Sequence, residues 1–175
     1  PEALKRGSHS LVLVDNPVSP ADFRAFFPPL AQWSQTVSLS LDVSGNLDEV
    51  DIDNIGILSD GLRVEAAASL SGLLHRENLK INLDDLRLKA SSSFLSSVLD
   101  LIPSTGAHIS RYVDAVGNLS LEAAGHADMA ERAADADCRI GTSSGEVSIS
   151  GSTHWQGKDI AFSGMAETEA LDLSG

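Results

Sequence analysis

Aromatic residues make up only 5% of this 175-residue sequence, and there is a single cysteine, Cys138. One thiol excludes an internal disulfide, so cysteine usage neither points to an oxidising compartment nor rules one out. Basic residues are few and scattered singly: 12 lysines and arginines stand against 25 aspartates and glutamates, a formal charge of −13. That balance argues against a nucleic-acid backbone as partner, because no basic stripe is present to displace its counterions. No apolar run of about 18 residues or more and no signal-peptide pattern occurs. A membrane anchor, if the full protein has one, is therefore expected outside these residues. Neither end reads as a natural terminus. Pro1 opens the chain without a methionine, and residues 169–175 still alternate Leu171 and Leu173 with Asp172 and Ser174. The expectation is a single segment, 1–175, of a larger repetitive protein.

What is present is alternation. After a short strand candidate at 11–14, residues 19–34 predict a short helical element. Ser19 caps it, Pro20 occupies the first helical position, Asp22 lies near the positive end of the dipole, and Phe23, Phe26, Phe27, Leu30 and Trp33 form a stripe that Pro28 and Pro29 must kink. From Val37 the period becomes two. Leu39, Leu41 and Val43 alternate with serine and aspartate up to a turn at Gly45-Asn46. Val50 and Ile52 follow, then Leu62, Val64, Ala66, Ala68 and Leu70, then Leu79, Ile81 and Leu83. After Asp84-Asp85, read as a turn, come Leu86, Leu88 and Ala90. One greasy face and one wet face per segment is what strands of a one-sided antiparallel sheet need. Residues 37–90 thus form a first hairpin block.

A helical insertion is predicted over 91–116. Serines at 91–93 cap it, Phe94, Leu95, Val98, Leu99 and Ile102 make its stripe, and Pro103 ends it. A further helical turn is expected over 109–116. A second hairpin block covers 117–175, with Leu119 and Leu121, Ala134 to Ile140, Val147 and Ile149, and Ile160 and Phe162 on the apolar phase. Gly45, Gly72, Gly125 and Gly151 close similar strand endings at intervals of roughly 26 residues or twice that, a hairpin-sized repeat. Stacked hairpins give an elongated sheet. With so few aromatics and with Ala66, Ala68, Ala123, Ala134 and Ala136 on the apolar phase, a strongly curved sheet fits at least as well as a closed sandwich; the alanines can equally sit beneath the helices.

Catalytic and metal chemistry finds no foothold, and the chain is not expected to be an enzyme. His9, His75, His108, His126 and His154 lack metal-binding spacing and read as exposed or loop residues. The run from Asp51 to Gly56 opens like a calcium loop but has Ile55 at the fifth position and Leu62 at the twelfth, where a bidentate glutamate is required. Cys138 sits on the apolar phase as a small hydrophobe. No catalytic residue, metal site or cofactor is predicted.

The strand ending LxLxxxG, seen at 39–45 and 119–125, the hairpin 46–57, the strand pair 79–88 and the short helix 93–102 together resemble the AsmA-like and TamB-like proteins of Gram-negative envelopes. The resemblance implies a mainly β, elongated and strongly curved antiparallel groove made of repeated hairpins, with two or three short helices. It implies a segment of a periplasm-spanning protein, anchored in the inner membrane elsewhere in the chain, that shields phospholipid or other acyl chains between the two membranes. The lining carried over is Leu39, Leu41, Val43, Leu62, Val64, Leu79, Ile81, Leu83, Leu119, Leu121, Val147, Ile149, Ile160 and Phe162. The alternative expectation is a binding or scaffold module assisting outer-membrane protein assembly with a barrel partner, working through loops near His75, 128–132 and His154-Trp155. An exposed Trp155 would mark such a module.

Overall fold

The computed structural model describes residues 7–25, 28, 35–100, 116–157 and 159–169. Nine strands form one antiparallel sheet in which spatial order follows chain order: β1 (His9–Val18), β2 (Val37–Gly45), β3 (Glu49–Ser59), β4 (Leu62–Ser71), β5 (Lys80–Ala90), β6 (Leu119–Asp128), β7 (Ala133–Thr142), β8 (Gly145–Gln156) and β9 (Asp159–Glu169). Short connections make hairpins of β2–β3, β3–β4, β4–β5, β6–β7, β7–β8 and β8–β9, whereas long segments join β1 to β2 and β5 to β6. The two expected hairpin blocks hold β2–β5 and β6–β9, and β5 pairs directly with β6, so they share one sheet.

The apolar phase is continuous across the strands. Leu39, Ile57, Val64, Leu88, Leu121, Ile140 and Val147 stand in register from β2 to β8. Three irregularities keep it so. Ile52 and Ile55 are three residues apart, as are Leu83 and Leu86, and would face opposite sides of a regular strand. An extra residue in β3 and another in β5, at the same level of the sheet, restore the phase; a third bulge lies in β1 between Leu13 and Asn16. Asp84-Asp85 therefore forms a bulge within one strand, and the expected turn there is corrected. The repeat is also clarified. The glycines mark alternate strands β2, β4, β6 and β8, and the doubled interval holds β5 plus the helical insertion.

The strongly curved groove is not what forms. β1 and β9 are opposite edges with no pairing between them, and the sheet is neither closed nor strongly curled. The alanines of β4 stand beside large residues, Ala66 between Ile55 and Leu86 and Ala68 between Ile52 and Leu83, whereas Gly125, Ala136, Gly151 and Gly164 form a continuous row of small residues across β6 to β9.

The helical elements described over their full length are α1 (Ser92–Asp100) and the 3-10 turns η1 (Pro20–Phe23) and η2 (Arg76–Asn78); Pro28 and Val116 are helical as well. Ser91 caps α1, its Oγ accepting the Phe94 N–H at 3.2 Å, while the Ser91 N–H donates to the Gly61 carbonyl at 2.8 Å. Of the expected helical element 19–34, η1 is the described part, with Pro20 in its first turn. Phe26, Phe27, Leu30 and Trp33, and the expected helical turn at 109–115, lie outside the described residues. Phe94 and Ala90 are the buried apolar side chains among those described.

Candidate interaction surface

The proposed lining residues share one face. Leu39, Leu41 and Val43 on β2, Leu62 and Val64 on β4, Ile81 and Leu83 on β5, Leu119 and Leu121 on β6, Val147 and Ile149 on β8, and Ile160 and Phe162 on β9 all have the same strand phase. Leu79 lies just before β5, at the end of η2. Ile55, Ile57, Leu86 and Leu88 belong to this face as well. Sequence alternation lost the two isoleucines at the β3 bulge, although their three-residue offset from Ile52 was the available signal.

Exposure is uneven along the sheet. Most side chains of the inner strands on this face are half-buried, whereas all eleven residues of β9 are exposed, with Ile160 at 73%, Phe162 at 76% and Met165 at 60%. β9 pairs with β8 alone among the described residues. A pair of glycines shapes this end. Gly151 and Gly164 are directly opposite, and a Cβ on either would meet the Phe162 ring at 3.2 or 2.9 Å. The ring therefore leans across backbone that no side chain covers, a recognised way of shielding strand glycines. Trp155, cross-strand from Ile160, is half-buried, and its backbone N–H donates to the Arg132 carbonyl at 3.0 Å.

The opposite face is polar. Glu65, Arg87, Glu122 and Arg139 stand in register on β4 to β7, so charges of opposite sign alternate across four strands. Arg139 reaches Glu146 at 3.1 Å and Glu122 at 3.8 Å, and Arg63 pairs with Glu65, which holds the Glu65 carboxyl below its usual range. Such exposed pairs contribute little stability singly and favour register collectively. On the same face, His126 is half-buried in β6 and its Nδ1 donates to Asn82 Oδ1, while Asn82 Nδ2 donates to Ser69 Oγ at 3.2 Å. The expectation of an exposed or loop histidine is corrected for His126. It holds in location for His9, His75 and His154, which are exposed; His108 is outside the described residues.

One carboxylate is fully buried. Asp128, 1% exposed, closes β6; Lys80 Nζ lies 2.8 Å from its Oδ2, and the N–H groups of Ala130 and Glu131 donate to its Oδ1 at 2.8 and 3.1 Å. The Lys80 ammonium first, then the Glu131 N–H, hold its carboxyl below the usual range against the opposing effect of burial. Asp128 thereby ties the β6–β7 turn to β5. Every acceptor site used has a structural partner, so this arrangement anchors the turn.

Among the described residues no group of three or more histidine, cysteine, aspartate or glutamate side chains is placed to hold a metal ion, and no helix is long and apolar enough to cross a membrane. Cys138 is half-buried between Ala123 and Ile149.

Comparison with protein-family models, curated proteins and solved structures finds no match for this chain. The resemblance to AsmA-like and TamB-like proteins thus has no support from homology, and the strongly curved trough it requires is absent. The acyl-chain-shielding groove and the lipid-transport role built on it fall with it. Loose LxLxxxG endings arise wherever an amphipathic strand meets a glycine turn; they report hairpins, and hairpins are shared by many unrelated sheets.

Proposed function

We propose that this chain is a non-enzymatic module that binds a partner polypeptide at the β8–β9 end of its sheet. The observation that carries the reading is a pair of large apolar side chains two positions apart on one face of β9, Ile160 at 73% and Phe162 at 76% exposure, higher than any on β1, where Leu11, Val12 and Val14 reach 52%, 58% and 70%; Met165 lies on the other face of β9. Single exposed apolar residues are ordinary, whereas a contiguous group at a strand edge marks an interaction surface. Burying two such side chains is worth about 1.5–3 kcal/mol each.

The test is titration of the chain with a reduced, carboxymethylated and therefore permanently unfolded polypeptide, followed by fluorescence anisotropy. The double variant Ile160→Ser/Phe162→Ser is expected to lose at least about tenfold in affinity, since the two side chains together exceed that in burial energy. The matched variant Leu11→Ser/Val14→Ser at the opposite edge keeps it. No binding by the unaltered chain, or equal loss in both variants, overturns the reading.

A further inference from the structure

We infer that the partner enters as an extended strand added beside β9, with apolar residues on one side and lysine or arginine on the other. This rests on the reading of β9 as the binding end and deepens it by naming the partner's chemistry.

The two edges of the sheet differ in how they meet another chain. Edge strands present a row of unpaired N–H and C=O groups and are ordinarily protected by proline, lysine, bulges or short length. β1 has such protection: its bulge places Asp15 at φ +49°, and Pro17, two residues on, lacks an N–H. β9 has none of it. Its eleven residues contain no proline, no lysine and no register shift against β8. Among the described residues it is a long, regular edge open to main-chain pairing.

Side-chain phase then specifies what pairs. Ile160 and Phe162 stand on the apolar face of the sheet, where an incoming strand gains by placing aliphatic residues beside them. On the other face β9 carries acids at its two ends, Asp159 at one and Glu167 and Glu169 at the other, with Ala161, Ser163 and Met165 between, and none of the three acids has an ion-pair partner among the described residues. Basic residues at alternate positions of the added strand complete both faces. A second copy of this chain does the reverse. Antiparallel self-pairing centred on Gly164 sets Asp159 opposite Glu169 twice, and like charges directly opposite one another are destabilising.

The experiment uses a synthetic eleven-residue peptide alternating valine and lysine, matched in length to β9. Its controls are the same peptide with glutamate for lysine and two versions N-methylated on alternate backbone amides, one set in each register. Expected results are binding that weakens with added salt, slowed amide exchange confined to β9 and the amides of β8 beside it, loss of binding in one N-methylated register only, and no binding of the glutamate peptide. Asp159→Lys/Glu167→Lys, both exposed and distant from the buried side chains, is expected to weaken the lysine peptide at least about threefold. Binding that ignores both N-methylated registers, or that leaves β9 exchange unchanged, overturns strand addition while leaving β9 as an apolar contact surface. Equal binding of the glutamate peptide overturns the basic partner. A stable dimer whose formation protects β9 assigns the edge to a second copy and overturns the inference. Failure of the unfolded polypeptide to bind at all removes the underlying reading instead.

Discussion

At Gly45 the chain leaves β2 through φ +137°, a region that side chains with a Cβ rarely occupy, and the space where a Cβ would sit is filled by the Glu49 carbonyl. Gly45→Ala is therefore expected to destabilise the fold by about 2 kcal/mol or more, readable as a lowered midpoint in urea with an unchanged slope. Glycine-asparagine at a strand end was legible as a turn from sequence; that Asn46 also accepts the Asp48 and Glu49 N–H groups was a detail only coordinates supply. Asp128 was not legible at all. Nothing in the sequence around it distinguishes a buried anchor from a solvated turn residue, because its partner Lys80 is supplied by the neighbouring strand. Its lowered carboxyl pKa and the raised ammonium pKa of Lys80, whose largest cause is the Asp128 carboxylate, set the sign of a pH effect. The aspartate contributes stability above the ordinary carboxyl range, lost as pH falls through its lowered pKa. The lysine contributes below the ordinary ammonium range, lost as pH rises through its raised one. Thermal melts of the unaltered chain and of Asp128→Asn are expected to differ most around neutrality and to converge toward both extremes.

Among the elements, α1 shows how a helix is seeded on a sheet. Ser91 occupies the cap, and Phe94, 7% exposed, lies against Gly61, where a Cβ would come within 3.0 Å of the Phe94 Cβ. The serines, the phenylalanine and the periodic stripe made this helix readable in advance; its docking on the β3–β4 turn depends on Gly61 at φ +78°, distant in sequence. Phe94→Ala is expected to cost about 3 kcal/mol, the low end for a core phenylalanine because few buried neighbours surround it. Amide exchange of α1 in that variant separates local loosening from global loss: if the strands lose protection together with α1, the helix is part of the cooperative unit. The strands themselves were legible because alternation survives any tertiary context with one covered side. The bulges were not, since an acidic pair such as Asp84-Asp85 satisfies the composition of a turn and of a bulge equally well. Only the three-residue offset between Leu83 and Leu86 separates the two, because it requires an added residue to keep both on one face.

For the whole molecule, curvature was the misleading inference. Small side chains permit a sheet to bend without requiring it, and composition carries no information about cross-strand partners: Ala66 and Ala68 stand beside large residues, while Gly125, Ala136, Gly151 and Gly164 stand beside one another. Among the described residues the open sheet has two edges, and the chain carries a charge of −13; these act against each other in solution. The apolar side chains and unpaired backbone of β9 favour association, while the summed negative charge and the Asp159 to Glu169 clash oppose it. Repulsion between exposed charges is screened over about 10 Å at 0.1 M salt, and it vanishes as carboxylates protonate toward the isoelectric point near 4.5. Sedimentation velocity is expected to show a single small species at neutral pH and low salt, with larger species appearing as salt is raised or as pH approaches 4.5. If β9 is the associating edge, Ile160→Ser/Phe162→Ser suppresses the larger species, whereas Leu11→Ser/Val14→Ser on β1 leaves them. Association that follows the β1 variant instead would show that the bulge and Pro17 do not protect that edge, and would remove the asymmetry from which the binding end was identified.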